Sequence, residues 1–179
     1  MKIINGIPCC PYFIFLKGIS RKTDIEILSL FNFEIRSEVN LNNEFHGTEN
    51  HIYMSRDDNW IHIMDNFFYS LWYSEAVSQR IEHLAETYEI FTCSVGDVDL
   101  SFDFNYYKNG KKVREYVVES PNYVDEILKK NVGNPLKGEY EGLKLSDQLE
   151  SVIYIAKELG IKIPKKENEI TCYEIQQKP

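Results

Sequence analysis

The stretch VDLSFDFNYYKNGKKVREYVVE, residues 98–119, decides the fold class. Leu100 and Phe102 alternate with Asp99, Ser101 and Asp103, and a second alternating run follows Lys108-Asn109-Gly110. A period of two on either side of a glycine-containing turn is the signature of a β-hairpin. Two registers compete. A two-residue Asn109-Gly110 loop sets Phe104 against Glu115 and mixes acid with aromatic on both faces. A three-residue loop pairs Tyr107 with Lys111, puts Gly110 in a G1 bulge, and sets Phe102 against Tyr116 and Leu100 against Val118. The second gathers the apolar residues and is the one expected. It also lines up Asp97, Asp99, Ser101, Asp103 and Asn105 on the other face, with Glu115 opposite Asp103 and Glu119 opposite Asp99. Opposed like charges destabilise a sheet. Water, lysines from another element, a metal ion or a basic partner must therefore compensate them.

Working outward, Tyr12 to Leu16 reads as a buried strand. Thr23-Asp24-Ile25-Glu26 is a capping box that opens a short helix. Phe33 to Val39 alternates as a strand, and residues 40–50 form a polar loop. His51 to Met54 and Trp60 to Met64 are expected to pair across Arg56-Asp57-Asp58-Asn59. Ser74 caps a helix carrying Val77, Ile81, Leu84, Ala85 and Tyr88 at helical spacing. Glu89 to Val95 is the next strand. Pro121-Asn122 sets up a short helix over 123–130, which Gly133-Asn134-Pro135 ends. Ser146 caps a long helix to Leu159, with Gly160 placed as its C′ glycine. Ile170 to Ile175 is the last strand. This mixture predicts an α+β fold, a mainly antiparallel sheet with about four helices packed on it, as a single domain over residues 1–179.

The composition is that of a globular chain. Of 179 residues, 43% are hydrophobic and 27% charged, which argues against disorder. The net charge of -8 disfavours nucleic acid and anionic membranes, since both repel an acidic surface. No run approaches the ~20 apolar residues of a spanning helix. Lys2 is followed by no signal-peptide core before Pro8, so a cytoplasmic location is expected. Cys9, Cys10, Cys93 and Cys172 contain no CxxC spacing, so no zinc clasp is expected. Cys93, within a strand, reads as a buried thiol rather than a nucleophile.

Other chemistry is sparse. His46 and His51 flank a loop holding Glu44 and Glu49, a weak pattern for metal or acid–base work. His62 faces away from Ile61 and Ile63, towards solvent or a second layer. Gly133-Asn134-Pro135-Leu136-Lys137-Gly138 lacks the ending of a phosphate loop. The aromatic group Trp60, Phe67, Phe68, Tyr69, Trp72 and Tyr73 reads as core, and any exposed remainder suits a protein interface.

Trp60, Ser74-Glu75-Ala76-Val77-Ser78, Gly96-Asp97-Val98-Asp99-Leu100-Ser101-Phe102, Gly110 with Val113-Arg114-Glu115, Gly133-Asn134-Pro135-Leu136 with Glu139, and Ile155-Ala156 with Leu159-Gly160-Ile161 form a pattern. It resembles small uncharacterised bacterial proteins of the toxin-system immunity or accessory kind. The resemblance spans Trp60 to Ile161 and implies a partner-binding role, with no catalytic residue carried over. The expected function is thus a protein-interaction domain, an immunity protein neutralising a basic toxin through an acidic surface. Its contact residues would be Asp97, Asp99, Asp103 and Glu115, with Trp72 and Tyr73 as anchors. No cofactor and no metal are expected in that reading. Two alternatives stand beside it. One is a metal-dependent hydrolase built on Asp97, Asp99 and His51 or His62; the other is a small-ligand module with an aromatic-lined pocket.

Overall fold

The computed structural model describes residues 3–4, 7–8, 12–40, 50–65, 75–96, 99–120, 125–164 and 169–178. Two short strands come first, β1 (Ile3–Ile4) and β2 (Ile7–Pro8), paired with each other. Then follow β3 (Tyr12–Lys17), α1 (Asp24–Leu30), β4 (Phe33–Val39), β5 (His51–Arg56), β6 (Trp60–Asp65), α2 (Glu75–Leu84) and β7 (Glu89–Val95). The hairpin is β8 (Phe102–Lys108) and β9 (Lys111–Glu119), followed by β10 (Ile127–Gly133). The chain continues through α3 (Glu139–Gly142), α4 (Gln148–Glu158) and β11 (Ile170–Gln177). Nine strands form one antiparallel sheet in the order β10-β9-β8-β7-β3-β6-β5-β11-β4. The α+β expectation holds at that level, but the sheet dominates.

Both faces of the sheet are covered near its centre, which explains why β3 is buried almost throughout. On one face Phe13, Phe15, Phe91, Cys93, Phe104 and Trp60 pack against Leu149, Val152, Ile155 and Ala156 of α4. On the other, Ile14, Leu16, Ile52, Ile61 and Ile90 pack against Ile27 and Leu28 of α1 and Val77, Ile81 and Leu84 of α2. The Thr23 hydroxyl accepts from the Glu26 N–H while the Glu26 carboxylate accepts from the Thr23 N–H, so the capping box is complete. Asp147, one residue beyond the expected Ser146, caps α4 by accepting from the Glu150 N–H at 2.9 Å.

Three expectations are corrected. The hairpin turns through two residues, Asn109 and Gly110, both with positive φ (54° and 72°), so Lys108 pairs with Lys111. Asparagine followed by glycine tolerates that left-handed geometry, and the turn's twist matches the strands. Val113 is then an extra residue on β9, because Tyr106 pairs with Arg114 and Tyr107 with Lys112. Beyond this bulge Phe102 faces Val118, Phe104 faces Tyr116 and Asp103 faces Val117. The expected oppositions of Asp103 with Glu115 and Phe102 with Tyr116 do not form. The sorting of residues between faces survives, because the true register differs from the expected one by two residues.

Secondly, the helix expected over 123–130 is instead the strand β10 from Ile127. Its residues have ordinary helix propensity, but the free edge of β9 supplies backbone partners that a helix would leave unused. Thirdly, β8 begins at Phe102 rather than Val98. Asp99 sits in a turn, its carboxylate accepting from the Ser101 N–H at 2.8 Å and the Ser101 hydroxyl at 3.0 Å.

Buried charge locks the hairpin to the rest. Arg114 donates to Glu139 through Nε at 2.9 Å and through a terminal nitrogen at 2.5 Å, with both side chains almost wholly buried. The guanidinium also reaches the Val132 and Gly133 carbonyls and lies over the rings of Phe104 and Tyr116. One residue thereby joins β9, β10 and α3.

Candidate functional site

Register lines up two rows of side chains across the α1/α2 face of the sheet. One row runs Tyr12, Ser94, Asp103, Val117 and Lys130. The next runs Ile14, Thr92, Asn105, Glu115 and Val132. Towards β3 this face is apolar and covered by helices. Towards β10 it turns polar, since Thr92, Ser94 and Asp103 are buried hydrogen-bonding groups on a face where β3 carries Tyr12, Ile14 and Leu16 and β6 carries Ile61 and Ile63. Exposure then rises along the second row: Thr92 is buried, Asn105 and Glu115 are half-buried, and Val132 is 59% exposed.

Asp103 is the centre of this seam. It is 4% exposed. Its Oδ2 accepts from the Ser94 hydroxyl, and its Oδ1 lies 3.3 Å from Asn105 Nδ2. Among the described residues no cation bonds to it. Burial pushes its carboxyl up to about 6, assisted by the charge of Glu115 and opposed by the Ser94 hydrogen bond and the charge of Lys112. Such a group changes protonation near neutrality, which suits it to binding or proton transfer. Beside it, Asn105 Oδ1 is buried with no hydrogen-bond donor.

The remaining acids of the expected row are engaged within the chain. Glu115 accepts from Lys130 at 2.9 Å and Lys112 at 3.2 Å; although partial burial works the other way, these lysines hold its carboxyl below the usual range. Glu119 pairs with Lys129 at 3.4 Å. Asp99 is occupied by its own turn. The structure thus brings Asp103 and Glu115 to one face, on adjacent strands and diagonal to each other, while Asp99 lies apart. Asp97, Trp72 and Tyr73 lie outside the described residues, as do His46, Glu44, Glu49, Cys9, Cys10 and the aromatic run 67–69.

The His-containing alternatives do not converge on this face. His51 lies on β5, four strands from β8, or ~19 Å at the usual strand spacing. His62 belongs to the opposite face, where it is 1% exposed and forms a 2.8 Å hydrogen bond with Ser55 across the β5–β6 pair. Its Nε2 is 3.8 Å from Asp57, and burial pushes its imidazole down to about 4. Asp57 meanwhile accepts from the backbone N–H groups of Asn59, Trp60 and Lys162. This Ser55–His62–Asp57 set is a sealed turn support, not a nucleophile open to substrate. Cys93 is fully buried, and desolvation raises its thiol well above the ordinary value. Among the described residues no group of three or more His, Cys, Asp or Glu side chains could hold a metal ion, and no helix is long and apolar enough to cross a membrane.

Sequence reasoning missed Ser94 and the β10 edge, and it placed Asn105 on this face without giving it a role. The signal for Ser94 and Thr92 was available: both alternate with Phe91 and Cys93 on a strand flanked by apolar neighbours. Nothing local marked β10. It ends the sheet, all seven of its residues are exposed, and Ile127, Leu128 and Val132 are aliphatic. The opposite edge, β4, instead alternates Glu34, Arg36 and Glu38 along its exposed side. Comparison of the chain with protein-family models, with curated proteins and with solved structures finds no match.

Proposed function

We propose that this chain is a protein-interaction domain that binds a basic partner through the wing formed by β8, β9 and β10. The observation that carries this reading is the exposure of Ile127, Leu128 and Val132 on a terminal strand. Solvent-facing aliphatics on a sheet edge invite pairing with another chain, and proteins usually blunt such edges with charge. Here Lys129 and Lys130 fold back onto Glu119 and Glu115. The edge can therefore take an added strand from the partner, a common mode of peptide recognition. The surrounding charge of -8 favours a cationic partner and speeds its approach. An immunity-type role, neutralising a basic toxin, is the biological form of this reading.

The test is capture of the partner from the source cell by the wild type and by Val132→Lys, followed by a salt titration. The expected result is loss of capture in the variant and weakening of wild-type binding with salt. Equal capture by both proteins would overturn the assignment to this edge.

A further inference from the structure

Every buried charge of the described chain except one has an opposite charge or a set of donors committed to it. Arg114 and Glu139 neutralise each other, and Asp57 holds three backbone N–H groups. Asp103 is the exception, with one hydroxyl donor and one long amide contact for two carboxylate oxygens, and with Lys112 acting on it only from beyond contact distance. The adjacent Asn105 Oδ1 is a second buried acceptor, and it has no donor at all. Two neighbouring groups therefore have spare acceptor capacity. Buried polar groups of native proteins are nearly always satisfied, so two adjacent acceptors with spare capacity call for donors that the described chain does not supply.

We infer that Asp103 and Asn105 form a seat for an organic cation, a guanidinium or ammonium group, that enters along the Glu115 side. A guanidinium carries five N–H donors and no acceptor, and an ammonium carries three. Either suits a seat of this kind, and a carboxylate is the natural partner of both. The entry side follows from exposure: Thr92, Ser94 and Asp103 are closed over, whereas Asn105 and Glu115 are half-buried and Val132 beyond them is open. Glu115 is already occupied by Lys112 and Lys130, so it does not seat the incoming charge. The cation has two possible sources, a free small molecule or an Arg or Lys side chain of the partner. The inference rests on the reading of this wing as a binding surface.

The test follows the Asn105 side-chain amide by nuclear magnetic resonance during titration with methylguanidinium chloride, against sodium chloride at equal ionic strength. A saturable shift in the wild type that weakens at least roughly tenfold in Asp103→Asn is expected, since a charged hydrogen bond is removed. A shift that does not saturate, that sodium chloride reproduces, or that survives in Asp103→Asn overturns the seat. Repeating the titration with N-acetyl-arginine amide separates the sources. Tighter binding than methylguanidinium assigns a partner's side chain, and weaker binding assigns a free small cation. Ile127→Lys, at the far end of β10 opposite Glu119, keeps the cation shift while losing partner capture. A chain that captures its partner through β10 but ignores methylguanidinium therefore refutes the seat alone.

Discussion

Replacing Asp103 by Asn should stabilise this protein at neutral pH, and the gain should vanish in acid. The unfolded carboxyl ionises near the ordinary value of 3.8, and the folded one near 6. Between those values the folded state binds more protons, so stability falls as pH rises through that window and stays lower above it. A difference of about two pKa units corresponds to about 3 kcal/mol. Asn keeps an acceptor for the Ser94 hydroxyl, and its amide can donate to Asn105 Oδ1 once that side chain turns over. The variant thus removes the charge and satisfies the orphaned acceptor together. His62 works in the opposite sense. Its imidazole, pushed down to about 4 from 6.5, stays neutral in the folded chain while the unfolded chain protonates, so stability falls as pH drops through that range, again by about 3 kcal/mol. The two contributions oppose each other in the wild type between pH 4 and 6, and the lowered imidazole of His51 acts in the same sense as His62. Urea unfolding at several pH values reads them separately as differences from wild type. On acidification Asp103→Asn should lose stability relative to wild type, and His62→Gln should gain it. If the stability of Asp103→Asn relative to wild type does not change with pH, or if the variant becomes weaker as pH rises, the buried charge is compensated in some other way and the reasoning fails.

Arg114→Met should cost roughly 3–5 kcal/mol, because it strands Glu139 without its partner; adding Glu139→Leu should recover much of that loss, as measured by thermal unfolding. Gly133→Ala should destabilise by more than ~1 kcal/mol and speed amide exchange along β10. Its φ is +88°, and a new Cβ would lie 2.0 Å from the Val113 carbonyl oxygen. Thr23→Ala should lower stability by ~1 kcal/mol through loss of the α1 cap, with little effect on partner capture by the distant wing.

Local signals were sufficient for several features. Thr23 and Glu26 lie three apart and needed nothing else to cap α1. Glu89 to Val95 was legible as a strand from its apolar and β-branched run, and Gly160 adopts the left-handed turn expected after α4. Alternation alone sorted Asp103 and Glu115 onto one side of the hairpin and Phe102 and Tyr116 onto the other, because a strand's side chains alternate whatever it pairs with. The tertiary structure decided the rest. The extra residue at Val113 set which side chains stand opposite, and that depends on how β9 fits β8 and β10 at once. Residues 127–133 became a strand because β9 offered an edge, a fact written far from those residues. Most consequentially, Asp103 was buried without a cation while its acidic neighbours were closed by Lys112, Lys129 and Lys130. Burial and ion pairing are properties of what lies across the sheet, and no periodicity along a single strand records them.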